Sequence, residues 1–283
     1  MEMMDWSDFE NQIRDEIQNL GGRYVWTDVV LQGNYHIQRN VNTGRYRLLD
    51  GERRRLLLSG YDACRDELNQ VNPAFESDHL VLLIHGLGRH AGIMDKPKKA
   101  LRDAGFATHS LNYATLFEGV EDHANHFTNL LENLKGIKKV SFVTHSLGGL
   151  VARAILRRSL VWNGATAHKL VMMGTPNKGA QIAEFFNRMK TYQMISGQSG
   201  QDVLPNQLVN ELPEPPIPTM VIAGGTGNDI GFNPLLVGDN DGVVTVAETR
   251  LDAPHDFKLV KNIHTTIMDH KDSINATLQF LKS

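Results

Sequence analysis

"KKVSFVTHSLGGLVARAILRRS", residues 138–159, decides the fold. An apolar run closes at Val143, and Thr144, His145, Ser146, Leu147 and two glycines follow. From there Leu147, Leu150, Val151, Ala154 and Ile155 recur on one helical face, with Arg153, Arg157 and Arg158 off it. A buried strand therefore turns straight into a half-buried helix, and Ser146 stands at the hinge. Small residues two positions to either side, Thr144 and Gly148, let strand and helix approach closely. This is a nucleophile-elbow pattern of the G-x-S-x-G kind, with threonine in the first small position. It predicts a strained serine whose hydroxyl projects above the sheet edge, with the N–H of Leu147 free to donate. His145 reads as a packing residue beside the turn.

Outward from this hinge the chain keeps one rhythm from His79 to the end. Short apolar runs at 80–84, 106–113, 140–143, 169–173, 219–224 and 257–260 alternate with helix-like segments near 94–104, 117–135, 147–159, 180–194 and 272–282. Strands alternating with helices predict an α/β class: a mostly parallel twisted sheet with helices on both faces, which is why several strands read as unbroken apolar runs. Residues 1–78 read differently, as an N-terminal α+β extension. Trp6, Phe9, Ile13, Ile17 and Leu20 predict a helix ended by Gly21 and Gly22. Residues 23–50 predict one or two strands with a turn near Asn42 to Gly44, and a short helix ends before Pro73. The division expected is thus 1–78 and 79–283, with a lid-like insertion at about 177–218, longer than an ordinary connection.

A serine needs a base within hydrogen-bond reach and a carboxylate to orient that base. In a sheet of this kind chemistry gathers beyond the carboxyl ends of the strands. His264 lies just past the run 257–260, whereas His168 and His255 precede their strands and His270 comes later, near the first turn of the last helix. His264 leads and His270 is the alternative. For the acid, Asp241 stands before Gly242 and an apolar pair, pinned at a tight turn, and Asp229 in "TGNDIG" is the alternative. The loop "HGLG" after the run 80–84 carries the second oxyanion donor, with the backbone N–H of Leu87 chosen beside that of Leu147. His85 reads as a residue that orients this loop.

Composition narrows the function classes. Hydrophobic residues make up 41% and charged residues 22%, as in ordinary globular domains. The net charge of −3, with dispersed basic residues, argues against a nucleic-acid partner. The single cysteine, Cys64, reads as a lone buried thiol. The start "MEMMDWSDFENQ" lacks a basic segment followed by an apolar one, and no apolar run approaches the ~18 residues of a spanning helix. A soluble cytoplasmic protein is expected, with no nucleic acid and no transmembrane segment. Asp122, His123 and His126 have helical spacing but lack further ligands, so an exposed helix face is expected there, not a metal site.

The segments "LLIHGLGR" (82–89), "FVTHSLGGLVAR" (142–153), "MMGTPNKGA" (172–180), "DNDGVVTVAETRL" (239–251) and "HTTIMDHKDSINATLQFL" (264–281) occur in an order that resembles the serine α/β-hydrolase superfamily, and within it small bacterial lipase/esterase-like proteins. The resemblance covers residues 79–283 and implies an α/β-hydrolase fold. It implies Ser146 as nucleophile, His264 as base and Asp241 as acid, cleaving a small-molecule or lipid ester through an acyl-enzyme; the alternatives are a thioesterase or acyltransferase with the same three residues, or a non-catalytic binding protein on the same fold. No metal or cofactor is needed for that chemistry. Thr144 departs from the pattern at the first elbow glycine, and the resemblance does not extend to residues 1–78, whose role it leaves open.

Overall fold

Two sheets carry the computed structural model, which describes residues 23–180, 202 and 208–283. The first is an antiparallel meander of β1 (Trp26–Gln32), β2 (Tyr35–Asn40), β3 (Tyr46–Leu49) and β4 (Arg55–Ser59). Three strands, not one or two, therefore fill residues 26–49. The overlooked turn is Gly33–Asn34, a two-residue reversal inside what reads as one β-rich run. Gly33 has φ +56°, and a Cβ there would lie 2.8 Å from the carbonyl oxygen of Ala74. Helix α1 (Tyr61–Val71) ends before Pro73 as expected and sets Cys64 and Leu68 against Val30, Ile37 and Leu48, so the thiol is buried. The helix expected over residues 6–20 lies outside the described residues.

The second sheet holds β5 (His79–Ile84), β6 (Ala107–Leu111), β7 (Lys139–His145), β8 (Val161–Trp162), β9 (Ala165–Met173), β10 (Thr219–Gly224) and β11 (Asp256–Val260). Six strands run parallel in the order β11-β10-β9-β7-β5-β6, and β8 is a short antiparallel addition to β9. Both faces are covered, as the apolar runs require. Leu80, Leu82 and Ile84 point into a core with α3 (Val120–Glu132) and α4 (Leu147–Arg158). Val81 and Leu83 point into the opposite core with α2 (Asp95–Asp103) and α7 (Lys271–Lys282). The short helices α5 (Leu208–Glu211) and α6 (Val246–Thr249) lie in the connections around β10. No helix among the described residues is long and apolar enough to cross a membrane.

The chain steps from β5 outward to β6 and then returns to the other side of β5 as β7. This reversal opens a crevice between the carboxyl ends of β5 and β7, the usual place for a ligand in such sheets. The first sheet is fastened beside it by polar contacts. The N–H of Asp28 donates to the carbonyl of Asn112, and the N–H of Asn112 donates back to the Asp28 carboxylate, both at 2.9 Å. The Asn112 amide also donates to the carbonyls of Trp26 and Arg23, and the N–H of Ala114 donates to Thr27. Burial opposes ionisation of Asp28, but His36, His109 and the Asn112 N–H outweigh it and lower its carboxyl to about 2.

Candidate active site

Ser146 has φ +54° and ψ −125°, a strained conformation for a residue with a side chain, and helix α4 starts at the next residue. The small neighbours are required by contact. A Cβ on Gly148 would lie 2.4 Å from the carbonyl oxygen of Ile84, and one on Gly149 would lie 2.2 Å from Thr175 Oγ1. Thr144 is accommodated because its hydroxyl turns sideways and donates to the carbonyl of Val171. The Ser146 N–H donates to the carbonyl of Met173, which leaves the hydroxyl as the group presented to the crevice.

Three side chains far apart in sequence meet there. Ser146 Oγ lies 3.0 Å from His264 Nε2, and His264 Nδ1 lies 2.7 Å from Asp241 Oδ2. The other carboxylate oxygen, Asp241 Oδ1, accepts the N–H groups of Val243 at 3.0 Å and Val244 at 2.8 Å. The turn anticipated from Gly242 and the apolar pair is thus what grips the carboxylate. The His264 N–H also donates to the Asp241 carbonyl, tying the two backbones together. Gly174 permits this approach from below: a Cβ on it would lie 3.1 Å from His264 Nδ1 and 3.2 Å from Asp241 Oδ2.

The N–H groups of Leu87 and Leu147 donate no hydrogen bond to the described residues. Gly86 stands beside the serine, where a Cβ would lie 3.0 Å from Ser146 Cβ. The loop is held by Tyr113, whose hydroxyl donates to the His85 carbonyl, and by the Gly88 N–H, which donates to Thr115. His85 is buried with Nδ1 3.0 Å from the Gly86 carbonyl, and burial pushes its pKa down to about 3, so it is a neutral brace.

The alternatives lie elsewhere. Asp229 is exposed on the loop after β10, and His270 caps α7 by accepting the N–H of Asp272. His145 does more than pack: its Nε2 lies 2.9 Å from the carbonyl of His264, so it supports the backbone that carries the imidazole. Burial keeps His145 well below the ordinary histidine pKa, hence neutral. Only adjacency to the serine marked it in the sequence, and adjacency says nothing about position 264. Arg153, read as lying off the buried face, is itself buried, because residues 212 and 213 cover it. Its guanidinium donates to the carbonyls of Leu212 and Asn177. His123, expected on an exposed face, is fully buried beside Tyr113, and His126 instead faces Glu118 at 3.3 Å. The helix near 180–194 and most of the expected lid fall outside the described residues.

A family model for a PGAP1-like alpha/beta domain matches residues 106–229. No curated protein sequence matches the chain. Among solved structures it is similar to the Bacillus licheniformis lipase BlEst2 in its mature form. That match is 17% identical with a TM-score of 0.58 and covers 71% of this chain and 91% of that one. It is similar to the phospholipase PlaB of Legionella pneumophila at 15% identity and a TM-score of 0.58. Here 72% of this chain is covered but only 59% of the phospholipase, so the chain spans part of that protein. A gene product of Listeria innocua matches at 17% identity and a TM-score of 0.53, over 73% of this chain and 95% of that one. The chain has the α/β-hydrolase fold that these structures share.

Proposed function

We propose that this α/β-hydrolase-fold chain is a carboxylic-ester hydrolase working through an acyl-enzyme on Ser146. The observation that carries the reading is the unbroken relay from Asp241 to His264 to Ser146 at 2.7 and 3.0 Å. In the proposed reaction His264 takes the serine proton as Oγ attacks the ester carbonyl, and Asp241 holds the imidazole tautomer and stabilises its charged form. The N–H groups of Leu87 and Leu147, which donate to none of the described residues, receive the oxyanion, where loss of such a donor costs about 3 kcal/mol of barrier. His264 then returns the proton to the departing alcohol, and water, deprotonated by the same imidazole, cleaves the acyl-serine.

The loop that leads to Asp241 supports an apolar acyl group. Ile230, Phe232, Leu235 and Val237 are all exposed on it. The lipase and the phospholipase among the similar structures agree with a lipid-like ester as substrate. A fluorophosphonate should label the wild type and leave Ser146→Ala unlabelled. A p-nitrophenyl ester series should show kcat/KM rising from acetate towards medium acyl chains. Labelling that persists in Ser146→Ala, or none in either protein, overturns the hydrolase reading. A maximum at acetate overturns the apolar acyl group alone.

A further inference from the structure

We propose that Asp28, His36 and His109 bind a divalent transition-metal ion, zinc being the best match, which fastens the N-terminal sheet to the central sheet. Asp28 belongs to β1, His36 to the neighbouring β2 and His109 to β6. All three are buried, and one ligand atom from each lies within 4.8 Å of the others. Among the described residues they form the only such group of three.

The geometry suits insertion of an ion. Asp28 Oδ2 lies 3.0 Å from His109 Nε2, and Asp28 Oδ1 lies 4.0 Å from His36 Nε2. A tetrahedral zinc ion about 2.0–2.1 Å from each ligand holds its donor atoms roughly 3.3 Å apart. The side chains therefore need shifts on the order of 1 Å. For an ion to bind, the ring proton of His109 would move from Nε2 to Nδ1, and the freed Nε2 lone pair would take the metal in place of the hydrogen bond to the carboxylate. Two imidazoles and one carboxylate are a common zinc donor set, with the fourth position open to water, and the imidazoles disfavour magnesium and calcium.

His36 supplies the second observation. Its Nε2 stands 4.0 Å from Asp28 Oδ1, too far for a hydrogen bond, and among the described residues its Nδ1 is buried without a partner. The open Nε2 lone pair beside a buried carboxylate is therefore where an ion fits, while Nδ1 keeps the ring proton. The carboxylate is meanwhile aimed by outer contacts of the kind that orient metal ligands. Gln38 Nε2 donates to Asp28 Oδ1 at 2.7 Å, and Arg47 Nε donates to Gln38 Oε1 at 2.8 Å. A route to solvent exists, because His36, Ser110 and Asn112 line a cavity of about 480 Å³ that Glu52 and Asp95 also border. Arg53 on the same wall is neutralised by its ion pair with Asp95, and Arg47 lies over the Trp26 ring at 4.1 Å.

The test uses the full chain, stripped with a chelator and titrated with zinc or cobalt. One ion per chain is expected, with saturating zinc raising Tm by about 5 °C or more. Cobalt should give the visible absorption of a tetrahedral N/O site. His36→Ala should lose the cobalt bands and the Tm rise while keeping its circular dichroism, since no hydrogen bond of the ring is removed. His109→Ala should behave alike where it folds. Ser146→Ala should bind as the wild type does, which separates this site from the crevice. Failure of the stripped wild type to bind 100 µM zinc, or equal binding by His36→Ala, overturns the proposal.

Discussion

Among the described residues two buried histidine–aspartate pairs lie within hydrogen-bond distance, His264–Asp241 at 2.7 Å and His109–Asp28 at 3.0 Å. Taken alone the pairs are nearly alike: both carboxylates are almost fully buried, and each also accepts backbone N–H groups. The third partner separates them. The far nitrogen of His264 faces a serine hydroxyl at the mouth of the crevice, which is what lets the pair move a proton in the proposed reaction. The carboxylate of Asp28 faces a second histidine, His36, at 4.0 Å between two sheets, with no hydroxyl nucleophile in the group. A buried histidine–carboxylate pair is therefore no function by itself, and what the remaining lone pair meets decides the chemistry.

Removing the charge from each carboxylate tests that contrast most strongly. Asp241→Asn should lower kcat for a p-nitrophenyl ester by about 10⁴, because the histidine takes the wrong tautomer while the geometry survives. Asp229→Asn, on the exposed loop, should stay within about twofold, since its carboxylate does not reach the relay. Equal losses in the two variants would dissolve the distinction and return the acid's role to either residue.

The same change on the other pair should be read in stability. Asp28→Asn leaves His109 and the Asn112 N–H without a charged acceptor in a buried site, at a cost of about 3 kcal/mol. For a chain of this size that is a fall in Tm on the order of 6–12 °C, with kcat of the folded fraction unchanged. A calorimetric Tm within 1 °C of the wild type would show that the junction does not depend on the carboxylate.

The pairs also differ in how far the sequence disclosed them. Ser146 and its glycines announce themselves because strand, turn and helix are consecutive, and the close approach that demands Gly148 is a local event. His264 was read from its place after a strand, since a parallel sheet collects the ends of its strands at one edge, and Asp241 from the tight turn at Gly242. Asp28, His36 and His109 come from two sheets and carry no spacing, and only the paths of β1, β2 and β6 bring them together. The hydrogen bond of His145 to the His264 carbonyl was hidden for the same reason, its partner being 119 residues away. The Gly33–Asn34 reversal hid inside a β-rich run whose composition matches that of one longer strand. Arg153 looked exposed because helical periodicity ignores the cover that residues 212 and 213 supply.

The smallest expected effect concerns acid. Burial, opposed by Asp28 and assisted by His109, Lys98 and Arg53, pushes His36 down to about 3, and burial does the same for His85. In the unfolded chain both rings take up a proton near pH 6.5, while the folded chain excludes it until about pH 3. The unfolded state thus binds more protons throughout that window, and stability must fall as pH falls from about 6.5. Each ring contributes about 1.4 kcal/mol per pH unit, so each removes roughly 2–3 kcal/mol by pH 4.5. Urea unfolding at pH 7.0 and 4.5 should show this loss in the wild type. His36→Gln cannot take up the proton, so its pH slope should be shallower by about one proton's worth. An unchanged slope would mean that the ring at the sheet junction is already charged in the folded protein, and the two histidine–aspartate pairs would then differ in ionisation as well as in their third partner.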